Sequence, residues 1–424
     1  MMTTLAHRII LSLICGLPLP SSWALTVVST HSEDASSSLL DEFRQLHPEI
    51  KITILNRRVD LIPSGVKSGS LRNADIVLSS SPFLMQALKN NGQLRTLPIT
   101  QVSSPCAPKG LLLSDSERKY ASYGLAGFGL LWNQSFYTRQ RLAAPKTWQD
   151  LLIPTLHRQL VMSTPSRSSS THMMLEKILQ DEGWDHGWRT ILQLGGQFSL
   201  IASRSFAVSE AIHSGDAMVS IMIDAHARPT MSANSNYRFQ YLNSFAVMPS
   251  YVAQLRGGQH SREAKILVQY LFSEQGQRNL LNDRHFKLPL KGSLEQNGHL
   301  CRLFQQQKLI NTEQILARGQ LLKQLYDQLI TLNFELLRDT QGLIQKAEAS
   351  PNLSTAQKQD LITARQLAST PPVTAAQAND ERYLALFRAG QPKDEISRWQ
   401  QVWRAQLAQA GKLARHVLVN SSHD

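Results

Sequence analysis

Hydrophobic positions in the first part of the chain recur at two different periods. The runs LTVVST (25–30), IKITILN (50–56) and ADIVLSSS (74–81) are typical of buried strands, whereas ASSSLLDEFRQLHP (35–48) and PFLMQALKNNG (82–92) have helical spacing. The two helices are predicted to end at Pro48 and Gly92. Strands that alternate with helices predict an α/β domain, in which helices cover both faces of a parallel sheet.

A second set of the same kind begins near residue 158. Its predicted strands are RQLVMS (158–163), FSLIASRS (198–205) and AMVSIMID (217–224), and its predicted helices are THMMLEKILQDEG (171–183) and FAVSEAIHSGD (206–216). The Gly-rich stretch SYGLAGFGLLWNQ (122–134) would cross between the two sets, and FAVMPSYVAQL (245–255) would return as a strand. The helix pair at 261–281 is then expected to pack on the first domain.

From about residue 298 the chain is predicted to be nearly all helical. A 3,4,3,4 spacing would put five leucines on one helix face: Leu322, Leu325, Leu329, Leu332 and Leu336. There are too few heptads for a coiled coil, so a helix packed on its own domain is favoured over a partner-binding face. The segment TPPVTAA (370–376) predicts a loop or hinge.

The N-terminus is typical of a secretory signal. His7 and Arg8 precede the apolar run IILSLICGLPLP (9–20), and the pattern SWA (22–24), with a small residue at each end, follows it, so residues 1–24 are predicted to be removed. Lipid attachment at Cys15 is disfavoured because the bulky Ile14 precedes it. No later segment approaches the roughly 18 apolar residues of a membrane span, so we expect an exported, soluble protein without a span in the mature chain.

The chain is basic, with 44 Lys plus Arg against 32 Asp plus Glu and a formal net charge of +12. Such a balance favours acidic partners, which include small anions, lipid headgroups and nucleic acid. Nucleic acid is disfavoured because there is no dense Lys/Arg block with interleaved aromatic residues. Cys106 and Cys301 would be able to pair in an oxidising compartment, and no CxxC or HExxH spacing suggests a metal site.

The most unusual stretch is STPSRSSSTH (163–172), which follows a predicted strand and precedes a helix. A polar loop is one interpretation, and an anion pocket is the other. In a pocket, the residues from Ser166 to Thr171 would offer hydroxyl and amide donors at a helix start, while Arg167 would bind a phosphate or carboxylate with two hydrogen bonds. Arg204, between Ser203 and Ser205 at the next strand end, would approach the same crevice.

Two other classes of function receive less support from the sequence. Hydrolysis is disfavoured because there is no GxSxG elbow and no recognisable triad order, although His172 and Asp224 would be available as a base and its partner. The protein is therefore not expected to be an enzyme. Ferric iron capture is a rival function, but the chain has no adjacent tyrosine pair of the kind that holds iron, and no cofactor is expected.

The order of the elements resembles that of the periplasmic solute-binding proteins of the ABC-transporter type. The resemblance is carried by VSEAIHSGDAMVSIMIDAHA (208–227), AVMPSYVAQLRGGQHSREAKILVQYLFSEQGQRNLL (246–281), SSSPFLMQAL (79–88), AGFGLLWNQ (126–134), STPSRSSSTHMMLEKILQDEGWDHGW (163–188) and IASRSFAVSEAI (201–212). It implies a two-domain, type II-like periplasmic-binding-protein fold with a C-terminal helical extension. Domain I would comprise 25–125 and 246–297, domain II 126–245, and the extension 298–424.

The resemblance also implies a function. The protein would be a periplasmic sensor of phosphoglycerates or phosphoenolpyruvate that signals through a membrane sensor kinase or another signalling protein, so that uptake is induced. The alternative is a binding subunit that delivers an anion or ferric iron to an ABC permease. The C-terminal helices would dock the partner or brace the first domain.

The implied ligand set draws on both domains. Arg167 and Arg204 would be the main cationic groups, with Ser166, Ser168, Ser203 and Ser205 as neutral donors beside them. Thr30, Ser80 and Ser81 would face them from the first domain, with Asn56 and Arg57 as further contacts. Asp224 would orient a ligand hydroxyl or an arginine rather than contact a phosphate, because two anions repel.

Overall fold

The computed structural model describes residues 24–204, 207–291, 294–390 and 392–420. Except for Ala24, the predicted signal peptide lies outside these residues. Within the described residues, no helix combines the length and the apolar character that crossing a membrane requires.

The first sheet half begins with the strands that the periodicity predicts. The parallel strands are β1 (Ala24–Ser29), β2 (Lys51–Asn56) and β3 (Ile76–Ser79), and the helices between and after them are α1 (Glu33–Leu46), α2 (Ile62–Ser68) and α3 (Pro82–Asn90). All six residues of β1 pair with β2, from Ala24 opposite Lys51 to Ser29 opposite Asn56. The carboxyl ends of the three strands therefore lie at one edge.

A single long strand, β4 (Tyr120–Asn133), passes through both halves of the sheet. Its first part pairs with β9 (Val247–Gln254) and β10 (Leu288–Pro289), which complete the first sheet half. Its second part pairs with β7 (Val219–Ile223) and β8 (Tyr237–Tyr241). With β5 (Leu160–Ser163) and β6 (Phe198–Ala202), the strand order is β2-β1-β3-β9-β4-β7-β5-β6. The predicted crossing segment is thus one continuous strand.

The second sheet half repeats the pattern of the first. It contains α4 (Gln134–Arg139), β5 (Leu160–Ser163), α5 (Ser169–Glu182), α6 (Trp184–Gln197), β6 (Phe198–Ala202), α7 (Ala207–His213), β7, α8 (Asp224–Ala233) and β8. Strand β5 is parallel to both β6 and β7. The mixed α/β fold class predicted from the sequence is confirmed.

Two helices return the chain to the first sheet half, as expected. They are α9 (Ser261–Phe272) and α10 (Glu274–Asn279), and the buried Gln277 of α10 donates to the carbonyl oxygen of Tyr123 over 2.8 Å. Tyr270 of α9 packs edge-on against Phe43 of α1, with ring centroids 5.3 Å apart. The helix pair is therefore tied to both β4 and α1.

The C-terminal region is helical, as predicted. Its helices are α11 (Leu294–Gln305), α12 (Thr312–Tyr326), α13 (Phe334–Glu348), α14 (Thr355–Leu367), α15 (Glu381–Arg388) and α16 (Lys393–Asn420). Trp399 and Trp403 of α16 are fully buried against this bundle. Besides their contacts within the bundle, α12 packs on α5 and α13 packs on α6 of the second sheet half.

The predicted leucine face of this region is interrupted. Leu322, Leu325 and Leu329 are fully buried, but Leu332 and Leu336 are 61% and 41% exposed. A π-helical turn at Asp327–Thr331 separates α12 from α13 and changes the helical phase. The expectation of one continuous face was therefore wrong.

A disulfide joins Cys106, in the loop before β4, to Cys301 of α11. Both half-cystines are buried, and 195 residues separate them in sequence. The bond ties the C-terminal helices to the first sheet half, a pairing that the sequence left open.

Replacement of both cysteines by serine should lower the free energy of unfolding by about 2–5 kcal/mol, because the disulfide closes a long loop in the unfolded chain. Urea titration followed by circular dichroism measures this loss. Dithiothreitol should lower the stability of the wild type and leave the double variant unchanged. Equal stability of the wild type and the double variant in the absence of dithiothreitol would contradict the prediction.

Candidate functional site

A cleft opens where the carboxyl ends of β1, β2 and β3 face those of β5, β6 and β7. It encloses about 620 Å³, including its open mouth. From the first sheet half its wall contains Thr30, His31, Ser32, Arg57, Arg58 and Ser80. From the second it contains Arg167 to Ser170, Arg204 and His226. This is the edge at which ligands bind in parallel α/β sheets.

Two helix N-termini open into the cleft from opposite sides. Ser32 caps α1, where its Oγ accepts from the Ala35 N–H over 3.3 Å. Ser168 caps α5 in the same way, with a 3.2 Å bond from the Thr171 N–H. The first amides of a helix have no partner within it, and its dipole is positive at this end, so both positions favour a bound anion.

The serine-rich loop before α5 is held in place by its own hydroxyl groups. Ser163 Oγ lies 2.6 Å from Thr171 Oγ1, which donates to Ser168 Oγ over 3.0 Å. Thr164 Oγ1 lies 3.0 Å from Ser166 Oγ and donates to Asp327 Oδ1 over 2.6 Å. The loop is therefore ordered before any ligand arrives, and it is bonded to the C-terminal helices.

Four arginines give the cleft its charge. Arg58 is already paired with Asp60, with its Nη2 2.6 Å from the Asp60 Oδ2. Arg57 donates to the carbonyl oxygen of Asn56 over 2.9 Å. The guanidinium group of Arg167 is exposed, and it forms no hydrogen bond or ion pair with the described part of the chain.

Arg204 is partly buried in the same cleft wall. Among the described residues that line the cleft, none is a carboxylate or a tyrosine. The combination of several arginines with hydroxyl and amide donors can neutralise a small anion that carries several charges.

Two histidines in the cleft wall are neutral at neutral pH. Burial, followed by the charge of Lys287, lowers the pKa of His226 to about 4. Burial and the same lysine hold the pKa of His31 well below its usual value. His31 Nε2 lies 3.3 Å from the hydroxyl oxygen of Tyr123. Both rings offer N–H donors rather than positive charge.

Six of the twelve predicted site residues line the cleft: Thr30, Arg57, Ser80, Arg167, Ser168 and Arg204. Ser203 is exposed after β6 and is not part of the cleft wall, and Ser205 lies outside the described residues. Ser166 is bonded to Thr164 and is also outside the wall.

The other three predicted residues have structural partners. Ser81 is buried and caps α3, where its Oγ accepts from the Leu84 N–H over 3.2 Å. Asn56 Nδ2 donates to the carbonyl oxygen of His31 over 2.6 Å, so it positions the cleft wall instead of facing the cleft. Ser169 and Ser170 also line the cleft and fall within the predicted donor run 166–171, whereas His31, Ser32, Arg58 and His226 were not predicted as ligand contacts. Each of them lies at or just after a strand end or helix start, which is the signal that would have found them.

Asp224, the last of the three, is fully buried beneath the cleft. Its carboxylate accepts from the Gly127 N–H over 2.9 Å and from the Tyr241 hydroxyl over 2.8 Å. These two bonds hold the start of α8 to β4 and β8, and the role of Asp224 towards an arginine or a ligand stays a prediction. Burial raises the pKa of Asp224 to about 6.

The pH dependence of stability tests this environment. Asp224 binds its proton more tightly in the folded state, so its contribution to stability is fully present below about pH 4 and is lost as the pH rises through 6. The Asp224→Asn variant lacks this loss. Its stability relative to the wild type should therefore rise by about 2–3 kcal/mol between pH 4 and pH 7, as measured by urea unfolding. A constant difference across this range would contradict the assignment.

Comparison with known proteins identifies the class of the chain. Residues 72–304 match the family of bacterial extracellular solute-binding proteins, and the chain belongs to this family. It is 32% identical over 385 residues to the phosphoglycerate transport regulatory protein PgtC of Salmonella typhimurium, an alignment that covers 89% of this chain and 93% of PgtC. The resemblance seen in the sequence segments is confirmed, both to the family and to PgtC in particular.

Solved structures share the fold at low sequence identity. The periplasmic binding protein AfuA from Actinobacillus pleuropneumoniae, with fructose-6-phosphate bound, has a TM-score of 0.59 and 14% identity over 74% of this chain and 100% of its own. Iron-bound HitA from Pseudomonas aeruginosa has a TM-score of 0.53 and 17% identity over 64% of this chain and 87% of its own. These likenesses establish the fold alone.

Proposed function

We propose that the protein is a periplasmic sensor of small phosphorylated carboxylates of the phosphoglycerate type. It signals through a membrane partner so that uptake of the ligand is induced. The observation that carries this proposal is the cleft wall, in which Arg167, Arg204 and Arg57 stand with two helix N-termini and no carboxylate among the described lining residues.

The charge of such a ligand matches this wall. A phosphate ester carries about −1.5 to −2 at neutral pH and a carboxylate adds −1. Each charge-assisted hydrogen bond contributes about 1.5–3 kcal/mol net, so two arginines with several amides and hydroxyls are sufficient for micromolar binding. A cleft closed around the anion by hinge motion would be the form that a receptor recognises.

The relatives support this choice of ligand. PgtC is named as a regulatory protein of phosphoglycerate transport, and its alignment with this chain, at 32% identity, covers 89% of the chain. AfuA, which binds fructose-6-phosphate, uses the same fold for another phosphate ester. We carry the regulatory role and the periplasmic location over to this chain as part of the proposal.

The C-terminal helices are proposed to report the state of the cleft to the partner. The family match ends at residue 304, and AfuA is covered completely by 74% of the chain, so this region is an addition to the binding fold. Asp327, which directly follows α12, accepts a hydrogen bond from Thr164 of the serine-rich loop before α5, which we call the anion loop. Gly319 of α12 lies against Phe83 of α3. Through these contacts α12 touches both sheet halves beneath the cleft.

Delivery of the solute to an ABC permease is the second candidate, because it would use the same fold and cleft. The fold likeness to iron-bound HitA extends this alternative to ferric iron. Among the described residues, no group of three or more His, Cys, Asp or Glu side chains is arranged to hold a metal ion. Affinity capture from membranes with the tagged protein separates the two roles, since it should recover a signalling protein rather than a permease.

Calorimetry of the mature protein tests the ligand class. We expect 3-phosphoglycerate or phosphoenolpyruvate to bind more tightly than phosphate or sulfate, and Arg167→Ala to weaken binding about 10- to 100-fold through lost charge-assisted hydrogen bonds. Arg262→Ala is a matched control, because Arg262 is an exposed arginine of α9 outside the cleft wall. Heat with ferric citrate but none with organic phosphates would refute the proposal.

Hydrogen exchange tests the reporting role of α12. Ligand should slow amide exchange in α12 as well as in the cleft loops, and Phe83→Ala should abolish the response of α12 while the ligand still binds. Phe334→Ala is the control, because Phe334 is a partly buried phenylalanine of α13. An unchanged response in Phe83→Ala would show that the signal does not pass through this contact.

A further inference from the structure

A buried lysine, Lys287, lies in the segment that packs on α8, the helix whose first turn lines the cleft. Lys287, which immediately precedes β10, is 5% exposed, and its Nζ forms no hydrogen bond or ion pair with the described part of the chain. Burial lowers its pKa to about 8, so it stays mostly protonated at neutral pH. A buried ammonium group without a direct anionic partner is costly, and a bound anion would remove that cost.

The surrounding packing places this segment beside β4 and α8. Gly124 of β4 makes room for the lysine, because a Cβ there would lie 2.9 Å from the Lys287 Cβ. The neighbouring Phe286 ring lies 3.6 Å from the guanidinium carbon of Arg228 on α8. The same helix supplies His226 to the cleft wall in its first turn.

The charges around Lys287 leave its ammonium group available. The negative charge of Asp224 raises the pKa of Lys287. The Asp224 carboxylate, however, accepts its hydrogen bonds from Gly127, Ala225 and Tyr241. The other titratable groups that respond to the lysine charge are His31, His226 and His285, and all three pKa values are lowered. Among the residues that the structure describes, no carboxylate is therefore bonded to the ammonium group.

We propose that Lys287 is a second anion-binding centre of the cleft, which binds the carboxylate of the ligand while the arginines at the mouth bind its phosphate. The neutral His31 and His226 of the cleft wall would then be further hydrogen-bond donors to the ligand. The ligand is then a short chain with an anionic group at each end. This assignment rests on the proposed function and specifies its ligand class.

Proton uptake gives the assignment a distinct signature. An anion beside Lys287 raises the pKa of the lysine from about 8, so binding takes up protons near pH 8.5. The histidines do not take up protons at pH 8.5 because their pKa values are too low. The Asp224 carboxyl, whose pKa is about 6, is already ionised at that pH. Calorimetry at pH 8.5 in two buffers with different ionisation enthalpies measures the uptake.

The test compares Lys287→Met with Arg167→Ala on two ligands. Glycerol 3-phosphate keeps the phosphate of 3-phosphoglycerate and replaces the carboxylate with an uncharged hydroxymethyl group. Lys287→Met should weaken 3-phosphoglycerate binding at least about tenfold, change glycerol 3-phosphate binding less than about twofold, and abolish proton uptake. Arg167→Ala should weaken both ligands. Thermal unfolding checks that each variant folds, and Lys287→Gln replaces the methionine variant if that one does not.

Equal weakening of both ligands by the Lys287 variants, or no effect on either, would overturn the second centre and leave the proposed function intact. If the wild type binds neither phosphate ester, the proposed function fails separately. In that case, calorimetry with glycerate at pH 8.5 tests Lys287 separately. Proton uptake that Lys287→Met abolishes would support a carboxylate site at Lys287, and a lack of proton uptake would overturn that site.

Discussion

The facing of the two sheet halves depends on how β4 is held where it passes between them. At Gly127 the backbone N–H donates to the buried Asp224 carboxylate over 2.9 Å, which fixes the start of α8 beside the strand. A Cβ at Gly127 would lie 2.7 Å from the Phe245 ring and 2.8 Å from the Phe304 ring, so a side chain there would force the core apart. Because this crossing is tightly packed, two sets of parallel strands direct their carboxyl ends to one opening.

The residues at those strand ends were the predictable part of the site. Thr30, Ser80 and Arg167 follow strands whose apolar runs are visible in the sequence, and a parallel sheet brings all such ends to one edge. Position alone does not fix the direction of a side chain, however. Asn56 and Asp224 also lie at strand ends, yet they bond to His31 and Gly127, and such pairings between elements depend on tertiary packing that periodicity does not contain.

Features created by packing between distant segments left no local signal. Lys287 is buried because β10 pairs with β4 and Phe286 packs under Arg228, contacts that no spacing rule near residue 287 predicts. The leucine pattern failed for a related reason, since a five-residue π-helical turn shifts the phase between Leu329 and Leu332. Helical periodicity assumes an uninterrupted α-helix. Here the α-helix is interrupted by the π-helical turn that begins at Asp327, the residue bonded to the anion loop.

In the proposed mechanism, the C-terminal helices can report closure only through contacts that differ between the open and closed states. Because α12 packs on α5 and Asp327 is bonded to the anion loop, α12 would move with the second sheet half. The contact that would change is the stack of Phe83 on His172, with ring centroids 4.6 Å apart. Burial holds the pKa of His172 well below its usual value, and neither ring nitrogen has a hydrogen-bond partner among the described residues, so no hydrogen bond must break. An aromatic contact of this kind contributes about 0.5–1.5 kcal/mol, far less than the roughly 8 kcal/mol of a micromolar ligand. The free energy of ligand binding is therefore sufficient to break this contact. In this mechanism, Phe83 would transmit the open or closed state of the cleft to α12.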